Sequence, residues 1–174
     1  MNRPYNKNKG LTLIDLLIVL AIIFITAGLG MPSFSNLLEE SRAYNYTKTI
    51  AKNMVFARHY AINYGTSVTI CPIKGFKCDK RWEKDISLFV DYNRNLKLDG
   101  KDKLLGVLED PPAYDTLLYP RQGITYRADG SINGLQSGTF RYCPRVKDSP
   151  FSLGLVVNQA GRTRYREDDI DCVE

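Results

Sequence analysis

The strongest constraint on this fold is an apolar run from Leu11 to Met31, which contains no basic residue and a single acid, Asp15. At about 1.5 Å per residue, a helix of roughly 20 residues spans about 30 Å, the thickness of the hydrocarbon core of a bilayer. A buried core helix that is apolar on all sides would suit a much larger protein than this chain of 174 residues. The run therefore predicts a membrane-inserted helix attached to one domain.

The residues before this run form a basic leader, in which Arg3, Lys7 and Lys9 occur without an acid. Positive charge beside a membrane helix stays in the cytoplasm, so we expect the chain to cross the inner membrane once and to place its C-terminal domain in the periplasm. Loss of the leader would lower the formal net charge from +5 to +2, because three of the 24 basic residues go and all 19 acids stay. Overall basicity therefore does not argue for nucleic-acid binding; a local cluster of cations is needed.

Four cysteines follow the apolar run, and His59 is the only histidine of the chain. Zinc needs about four suitably spaced Cys or His ligands, and no C-x-x-C pair is present, so we expect neither a metal site nor a cofactor. An even number of cysteines in an oxidising compartment predicts two disulfides. Three connectivities are possible. We favour Cys71–Cys78, which closes a short loop, with Cys143–Cys172 tying the tail to a strand.

The helical pattern continues beyond Pro32 and is predicted to end at Gly65, a residue typical of the position after a helix. Apolar residues recur every three or four positions in this segment. We interpret the stripe as the face on which a sheet packs. It consists of Ala43, Tyr46, Ile50, Met54, Ala57 and Ala61.

Short β-type runs separated by turn signals occupy the chain after Gly65. A long helix followed by an antiparallel sheet predicts an α+β fold. We divide the chain into a leader (residues 1–10), a membrane helix (11–31) and a globular domain (32–174). The globular domain includes the second half of the helix, to about residue 64. The predicted strands are Thr66–Cys71, Ile86–Tyr92, Leu104–Leu108, Ile124–Ala128, Thr139–Cys143, Leu153–Asn158 and Thr163–Arg166.

The N-terminus carries a specific arrangement of residues: a basic leader, Gly10, an apolar run that starts at Leu11 and has Asp15 as its fifth residue, and then Pro32. This order resembles the type IV pilins and pseudopilins. The resemblance implies that a prepilin peptidase cuts after Gly10 and methylates Leu11, and that the helix is kept as membrane anchor and filament core. Leu11 stands where the family usually has Phe, and Asp15 where it has Glu.

Asp15 has two interpretations. A carboxylate in hydrocarbon costs on the order of 2.5–3.5 kcal/mol unless it has a partner. It could pair with the N-terminal amine of a neighbouring subunit and so select the register of filament assembly, or it could be tolerated at the membrane edge. The N-terminus also has a further interpretation, in which ordinary signal cleavage near Ala27-Gly28 releases a periplasmic protein.

Several segments together resemble the FimT/GspH group of minor pilins and pseudopilins over nearly the whole chain: ARHYAINYG, TSVTICP, FVDYNRN, TFRYC and LVVNQAGRTR. Gly161-Arg162-Thr163-Arg164 matches the G-R-x-R signature of the FimT branch. That branch implies binding of extracellular double-stranded DNA during natural transformation. The sibling branch implies structural subunits of a pilus or secretion pseudopilus, with other pilins as partners.

The G-R-x-R segment also makes physical sense as an anion site. Gly161 permits a tight turn, and residues two apart on a strand share a face at roughly 6.6 Å spacing. Arg162, Arg164 and Arg166 would thus form a row of guanidinium groups, which suit phosphate oxygens and give sequence-independent, salt-sensitive binding. The alternative is a solvated hairpin strand whose arginines are neutralised by the acids of 167–171.

Two further groups of residues were considered for binding. Arg141, Arg145 and Lys147 would extend the basic surface if the Cys143–Cys172 bridge holds the two segments together. The residues from Asp91 to Asp102 have the alternating oxygen ligands of a calcium loop. However, Leu96 stands where an EF-hand needs Gly, and Lys97 is cationic, so a hairpin loop rich in turn formers is the better interpretation.

Catalysis finds no support in the sequence. The chain has neither a cysteine–histidine arrangement nor a G-x-S-x-G segment, and no Gly-rich loop follows a strand. The sequence therefore predicts a binding and assembly protein rather than an enzyme.

Overall fold

A computed structural model describes residues 12–168 and 170–173, with the side chains of all of these except 29–33. The predicted cleavage site at Gly10-Leu11 lies outside the described residues. The chain divides into two units, one ending at Leu38 and the other beginning at Glu39, and each is described by itself.

The first unit contains the beginning of helix α1, which runs over Leu13–Tyr64. Thr12 caps the helix, because its Oγ1 accepts a hydrogen bond from the Asp15 amide at 3.4 Å. In return, Asp15 Oδ2 accepts from the Thr12 amide at 3.0 Å and from the Thr12 hydroxyl at 2.7 Å. This reciprocal pair is a capping box. It gives Asp15 a local role that the sequence interpretation did not include.

The apolar side chains of this unit are exposed, from 40 % at Leu20 to 77 % at Leu13. Over the residues that the structure describes, no helix has the length and apolarity needed to span a membrane. The predicted span of residues 11–31 is described only in part, because Leu11 and the side chains of 29–31 lie outside the described residues.

The second unit begins with the remainder of α1, whose buried face matches the predicted stripe. Ala43, Ile50, Met54, Ala57 and Ala61 are at most 3 % exposed. Tyr46, the remaining residue of the stripe, is partly buried against the same core.

The helix ends at Tyr64, as predicted, because Gly65 adopts a φ of +61°. The amides of Thr66 and Gly65 then donate to the carbonyls of Ala61 at 3.0 Å and Ile62 at 3.4 Å. This Schellman arrangement satisfies the last carbonyls of the helix.

Two antiparallel sheets follow, which confirms the α+β class. The first contains β1 (Val68–Lys74), β2 (Lys77–Cys78), β3 (Ile86–Val90), β4 (Lys103–Val107) and β6 (Ile124–Tyr126). Its order is β2-β1-β3-β4, and β6 also pairs with β1. The second sheet has the order β5-β7-β8-β9, built from β5 (Thr116–Leu118), β7 (Gly138–Cys143), β8 (Leu153–Val157) and β9 (Thr163–Arg166).

Every predicted run overlaps an observed strand, whereas β2 and β5 were not predicted. Both predicted disulfides form, Cys71–Cys78 within the first sheet region and Cys143–Cys172 between β7 and the tail. Trp82 lies in the core against Phe140 and Tyr119, with ring centroids 5.0 and 5.2 Å away.

Candidate anion-binding site

The candidate site is the β8–β9 hairpin, whose connection is a tight turn over residues 158–162. The Gly161 amide donates to the Asn158 carbonyl at 2.9 Å, and the Arg162 amide donates to Asn158 Oδ1 at 3.0 Å. The Asn158 amide in turn donates to the Arg162 carbonyl at 3.1 Å. Asn158 therefore fixes the point at which Arg162 leaves the turn.

Gly161 is required for a reason beyond its turn conformation. Its φ is +74°, and a Cβ at this position would lie 2.1 Å from the Gly130 carbonyl oxygen and 2.9 Å from the Tyr126 ring. Arg58 on the helix donates to the same Gly130 carbonyl at 3.0 Å. The β8–β9 turn is thus held against the helix and against the turn that follows β6, which contains Gly130. Only glycine permits this contact.

The two faces of β9 differ in their surroundings. Tyr165 stacks on Tyr44 of the helix, with ring centroids 6.4 Å apart and planes at 23°, and its cross-strand neighbour Leu155 is fully buried. Successive strand residues point to opposite faces. Arg164 and Arg166 consequently lie on the outer face, opposite the helix.

The three arginines are exposed. Among the residues that the structure describes, no carboxylate forms an ion pair with Arg162, Arg164 or Arg166. The Arg166 Nε donates to the Asp168 main-chain carbonyl at 3.1 Å, not to its carboxylate. Neutralisation of the row by the described tail acids is therefore not observed; Asp169 lies outside the described residues.

Two of the three residues in the predicted extension of this surface form ion pairs. The Arg141 guanidinium is 3.4 Å from the Asp171 carboxylate, and that of Arg145 is 3.1 Å from Glu39. Lys147 is exposed, and its carbonyl accepts from the Cys172 amide at 2.7 Å. The disulfide does join the two segments, but it also brings the tail acid to Arg141.

The tail crosses the outer face between Arg141 and Arg166. In the register of the second sheet, both residues lie opposite Gly154, on its two sides. A Cβ on Gly154 would meet the Ile170 side chain at 2.7 Å. Ile170 therefore covers the strip that would connect the two arginines.

A second group of charges was not anticipated from the sequence. Asp115 is 4 % exposed and accepts hydrogen bonds from Tyr142 Oη at 2.5 Å, Arg42 Nε at 3.3 Å and the Arg145 amide at 2.8 Å. Burial, together with the hydrogen bond to Asp115, raises the pKa of Tyr142 well above its ordinary value. These bonds join helix α1 to the second sheet. The ion pair between Arg145, which follows β7, and Glu39 of α1 makes a further connection.

The loop after β3 satisfies its own oxygens. The buried Asp91 carboxylate accepts from the Thr69 hydroxyl at 2.9 Å and from the amides of Asn95 and Leu96 at 3.1 and 3.2 Å. Asn95 Oδ1 accepts from the Lys97 amide at 2.9 Å. These contacts explain the alternating polar residues as loop formers. Within the described part of the chain, no group of three or more Asp, Glu, His or Cys side chains could hold a metal ion.

Comparison with known proteins places this fold among the pilins. Two crystal structures of the type IV minor pilin FimU from Pseudomonas aeruginosa (strain PAO1) are similar. One has a TM-score of 0.57 at 18 % identity and covers 79 % of this chain and 99 % of that one. The other has a TM-score of 0.52 at 17 % identity and covers 76 % and 98 %. Comparison with curated proteins gives no match.

The family assignment comes from the sequence itself. The family described as type II transport protein GspH matches residues 47–161, which is more than half of the 174 residues. This range contains the second part of the helix and the strands up to the β8–β9 turn, and Arg162 follows its last residue. The chain therefore belongs to the GspH family and has a pilin-like α+β fold.

Proposed function

We propose that this chain is a minor pilin that binds double-stranded DNA through Arg162, Arg164 and Arg166. The observation that carries the proposal is the exposed row itself. Arg162 directly precedes the edge strand β9, and Arg164 and Arg166 lie on it. None of the three guanidinium groups forms an ion pair with a described acid. Guanidinium groups bind phosphate oxygens in pairs of parallel hydrogen bonds.

The geometry favours contact with the DNA backbone rather than with bases. Arg164 and Arg166 are about 6.6 Å apart along the strand. The intervening Tyr165 points to the opposite face, toward Tyr44, so its ring does not lie beside the arginines. Backbone contacts carry no sequence information. We therefore expect sequence-independent binding that weakens steeply with salt.

The proposal includes filament assembly with other pilins. A prepilin peptidase would remove the leader after Gly10, methylate Leu11 and leave residues 11–31 as inner-membrane anchor, before incorporation into a surface pilus. Asp15 Oδ2 is bonded to Thr12, while its Oδ1 has no hydrogen bond within the described residues. That second oxygen is the acceptor that we assign to a neighbouring N-terminal amine.

A structural subunit without DNA binding is the second candidate. It is favoured by the family description, which concerns type II transport, and by the range of the family match, which ends at Gly161 before the arginine row. Such a pilin or pseudopilin would prime filament assembly, and its arginines would remain solvated.

Titration of the full chain with a fluorescent duplex, in a mild non-ionic detergent, separates the two candidates. We expect R162Q/R164Q to weaken DNA binding about tenfold or more, since two phosphate contacts are lost. The matched control is R94Q/R121Q, which removes the same charge from two exposed arginines outside the row and should bind as the wild type does. Absence of binding by the wild type, or equal loss in both variants, would reject the DNA proposal.

The assembly proposal has its own test. The mature protein from the membrane fraction should begin at Leu11 and carry an N-terminal methyl group, as read by mass spectrometry. A mature N-terminus at Gly28 or later would instead establish ordinary signal cleavage and reject the pilin maturation.

A further inference from the structure

A second row of cations lies at the tip of the β1–β2 hairpin. Lys74 of β1 is directly opposite Lys77 of β2, and Lys77 is in turn opposite Lys97. Residues directly opposite in antiparallel strands share a face. The three lysines therefore form a row across three chain segments, which we call the lysine row, about 10 Å long at about 4.8 Å per strand.

The other face of this small sheet is partly buried, which forces the lysines outward. A Cβ on the buried Gly123 would lie 3.2 Å from Leu96 and 3.4 Å from Cys78 Sγ, so both side chains pack beside it. The Cys78 amide donates to the Leu96 carbonyl at 2.9 Å, and the Leu98 amide donates to the Phe76 carbonyl at 2.8 Å. The Cys71–Cys78 disulfide holds the hairpin closed. The row thus lies on a cross-linked, hydrogen-bonded surface.

The charges of the row are little used in folding: Lys74 makes the smallest of the contributions that lower the pKa of the Asp79 carboxyl. Like charges directly opposite each other on neighbouring strands destabilise a sheet, and two such contacts follow one another here. Lys74, Lys77 and Lys97 are exposed and form no ion pair within the described residues. The nearby Asp79 carboxylate is bound by the Lys80 amide at 2.8 Å and by Arg81 at 3.0 Å.

We propose that the lysine row of Lys74, Lys77 and Lys97 is a second binding surface for the phosphate backbone of DNA. This inference rests on the proposed function and adds a site to it. Ammonium groups act as point charges toward phosphate, so a bound anion would relieve the repulsion within the row.

The alternative occupant is the surface of an anionic membrane, which would use Phe76 at the tip of the turn. Phe76 is 71 % exposed with a φ of +65°. One aromatic side chain gives little apolar area to bury in a bilayer, and stable membrane attachment takes more than one such contribution. Because little apolar surface accompanies the three cations, the row matches the charged backbone of DNA better than a bilayer surface.

The lysine row is remote from the arginines of β9. Gly161, next to Arg162, contacts Tyr126, and Tyr126 pairs with Val68 at the start of β1. Lys74 is at the other end of β1. Six residues of strand separate the two ends by about 20 Å. Sites this far apart contribute independently, so the effects of mutating them on DNA affinity should multiply.

The test compares K74Q/K77Q/K97Q with K52Q/K84Q/K103Q, a control that removes equal charge from three exposed lysines outside the row. In titrations of the full chain with a 20-base-pair duplex, the first variant should bind about tenfold more weakly. Its slope of log K against log salt should be smaller by about 3. Equal affinities of the two variants would overturn the inference. If the wild type does not bind DNA, both the proposed function and the lysine row are rejected. If only R162Q/R164Q loses affinity for DNA, the lysine row is rejected and the proposed function stands.

Footprinting of the unmutated protein gives an answer that does not depend on variant folding. The full chain in nanodiscs of neutral lipid is acetylated, and the modification rates of Lys74, Lys77 and Lys97 are measured by mass spectrometry. Duplex DNA should slow these rates several-fold and leave Lys52 unchanged. Protection by nanodiscs containing anionic phosphatidylglycerol, without protection by DNA, would assign the surface to the membrane and overturn the inference.

Discussion

Two pairs of arginines in this protein occupy contrasting environments. Arg42 and Arg145 bind the carboxylates of Asp115 and Glu39 and join the helix to the second sheet, whereas Arg162 and Arg164 at the β8–β9 hairpin bind no described acid. Each arginine of the first pair has a carboxylate within 3.3 Å, so its charge is already paired. The second pair contributes little to folding, and its charge is available to a ligand. Position in the fold, not residue type, decides which of these arginines pair with a described acid.

The largest effect on stability is expected at the structural pair. Asp115→Ala should lower the free energy of unfolding by about 3–5 kcal/mol, because it leaves the Tyr142 hydroxyl, the Arg42 guanidinium and the Arg145 amide without their buried acceptor. R162Q/R164Q should change it by less than about 0.5 kcal/mol, as expected for exposed positions. Urea unfolding of both variants measures the contrast, and similar losses would show that the two environments are equivalent.

A somewhat smaller loss is expected when the tail is released. C143S/C172S should destabilise the protein by about 2–4 kcal/mol, since the bridge closes a loop with a sequence separation of 29 residues. It should also free Asp171 from Arg141. The comparison is C71S/C78S, whose separation is 7 and whose loss of stability should be smaller by about 1 kcal/mol. A larger loss in C71S/C78S would contradict this account of the tail.

A smaller effect still should come from Gly161→Ala. The left-handed conformation costs about 1–2 kcal/mol, and the clash with the Gly130 carbonyl adds about 1 kcal/mol or more. Gly134 is the matched control, because its φ is +55° and nothing lies within 4 Å of a Cβ there. Gly134→Ala should therefore show the conformational cost alone. Equal unfolding free energies of the two variants would remove the close-contact argument for Gly161.

Local sequence patterns predicted the parts of the fold that depend on local physics. The spacing of Ala43, Ile50 and Met54 identified the buried helix face, and Gly65 identified its end. The strands β2 and β5 were missed. β2 has two residues, too few for any periodicity, and β5 has three with no turn signal recognised beside it. The turn at Gly75-Phe76 creates β2, and pairing with β7 creates β5.

The candidate site was predictable only in part, for a similar reason. The alternation of Arg164, Tyr165 and Arg166 placed the arginines on one face, and the structure agrees. The role of Asp115 was not visible, because Arg42 lies 73 residues away in the sequence. Gly161 was predicted as a turn residue, but the contact that excludes a side chain comes from Gly130. Contacts between distant segments carry no local signal.

We attribute binding of the DNA backbone to the arginines of the β8–β9 hairpin, which form no ion pair with a described acid. The salt dependence of binding tests this proposal most directly. The affinity of the full chain for duplex DNA is measured from about 50 to 200 mM salt for the wild type and for R162Q/R164Q. The account predicts salt-sensitive binding by the wild type and a slope of log K against log salt smaller by about 2 in the variant. Identical slopes for the two proteins, or wild-type binding that does not respond to salt, would contradict it.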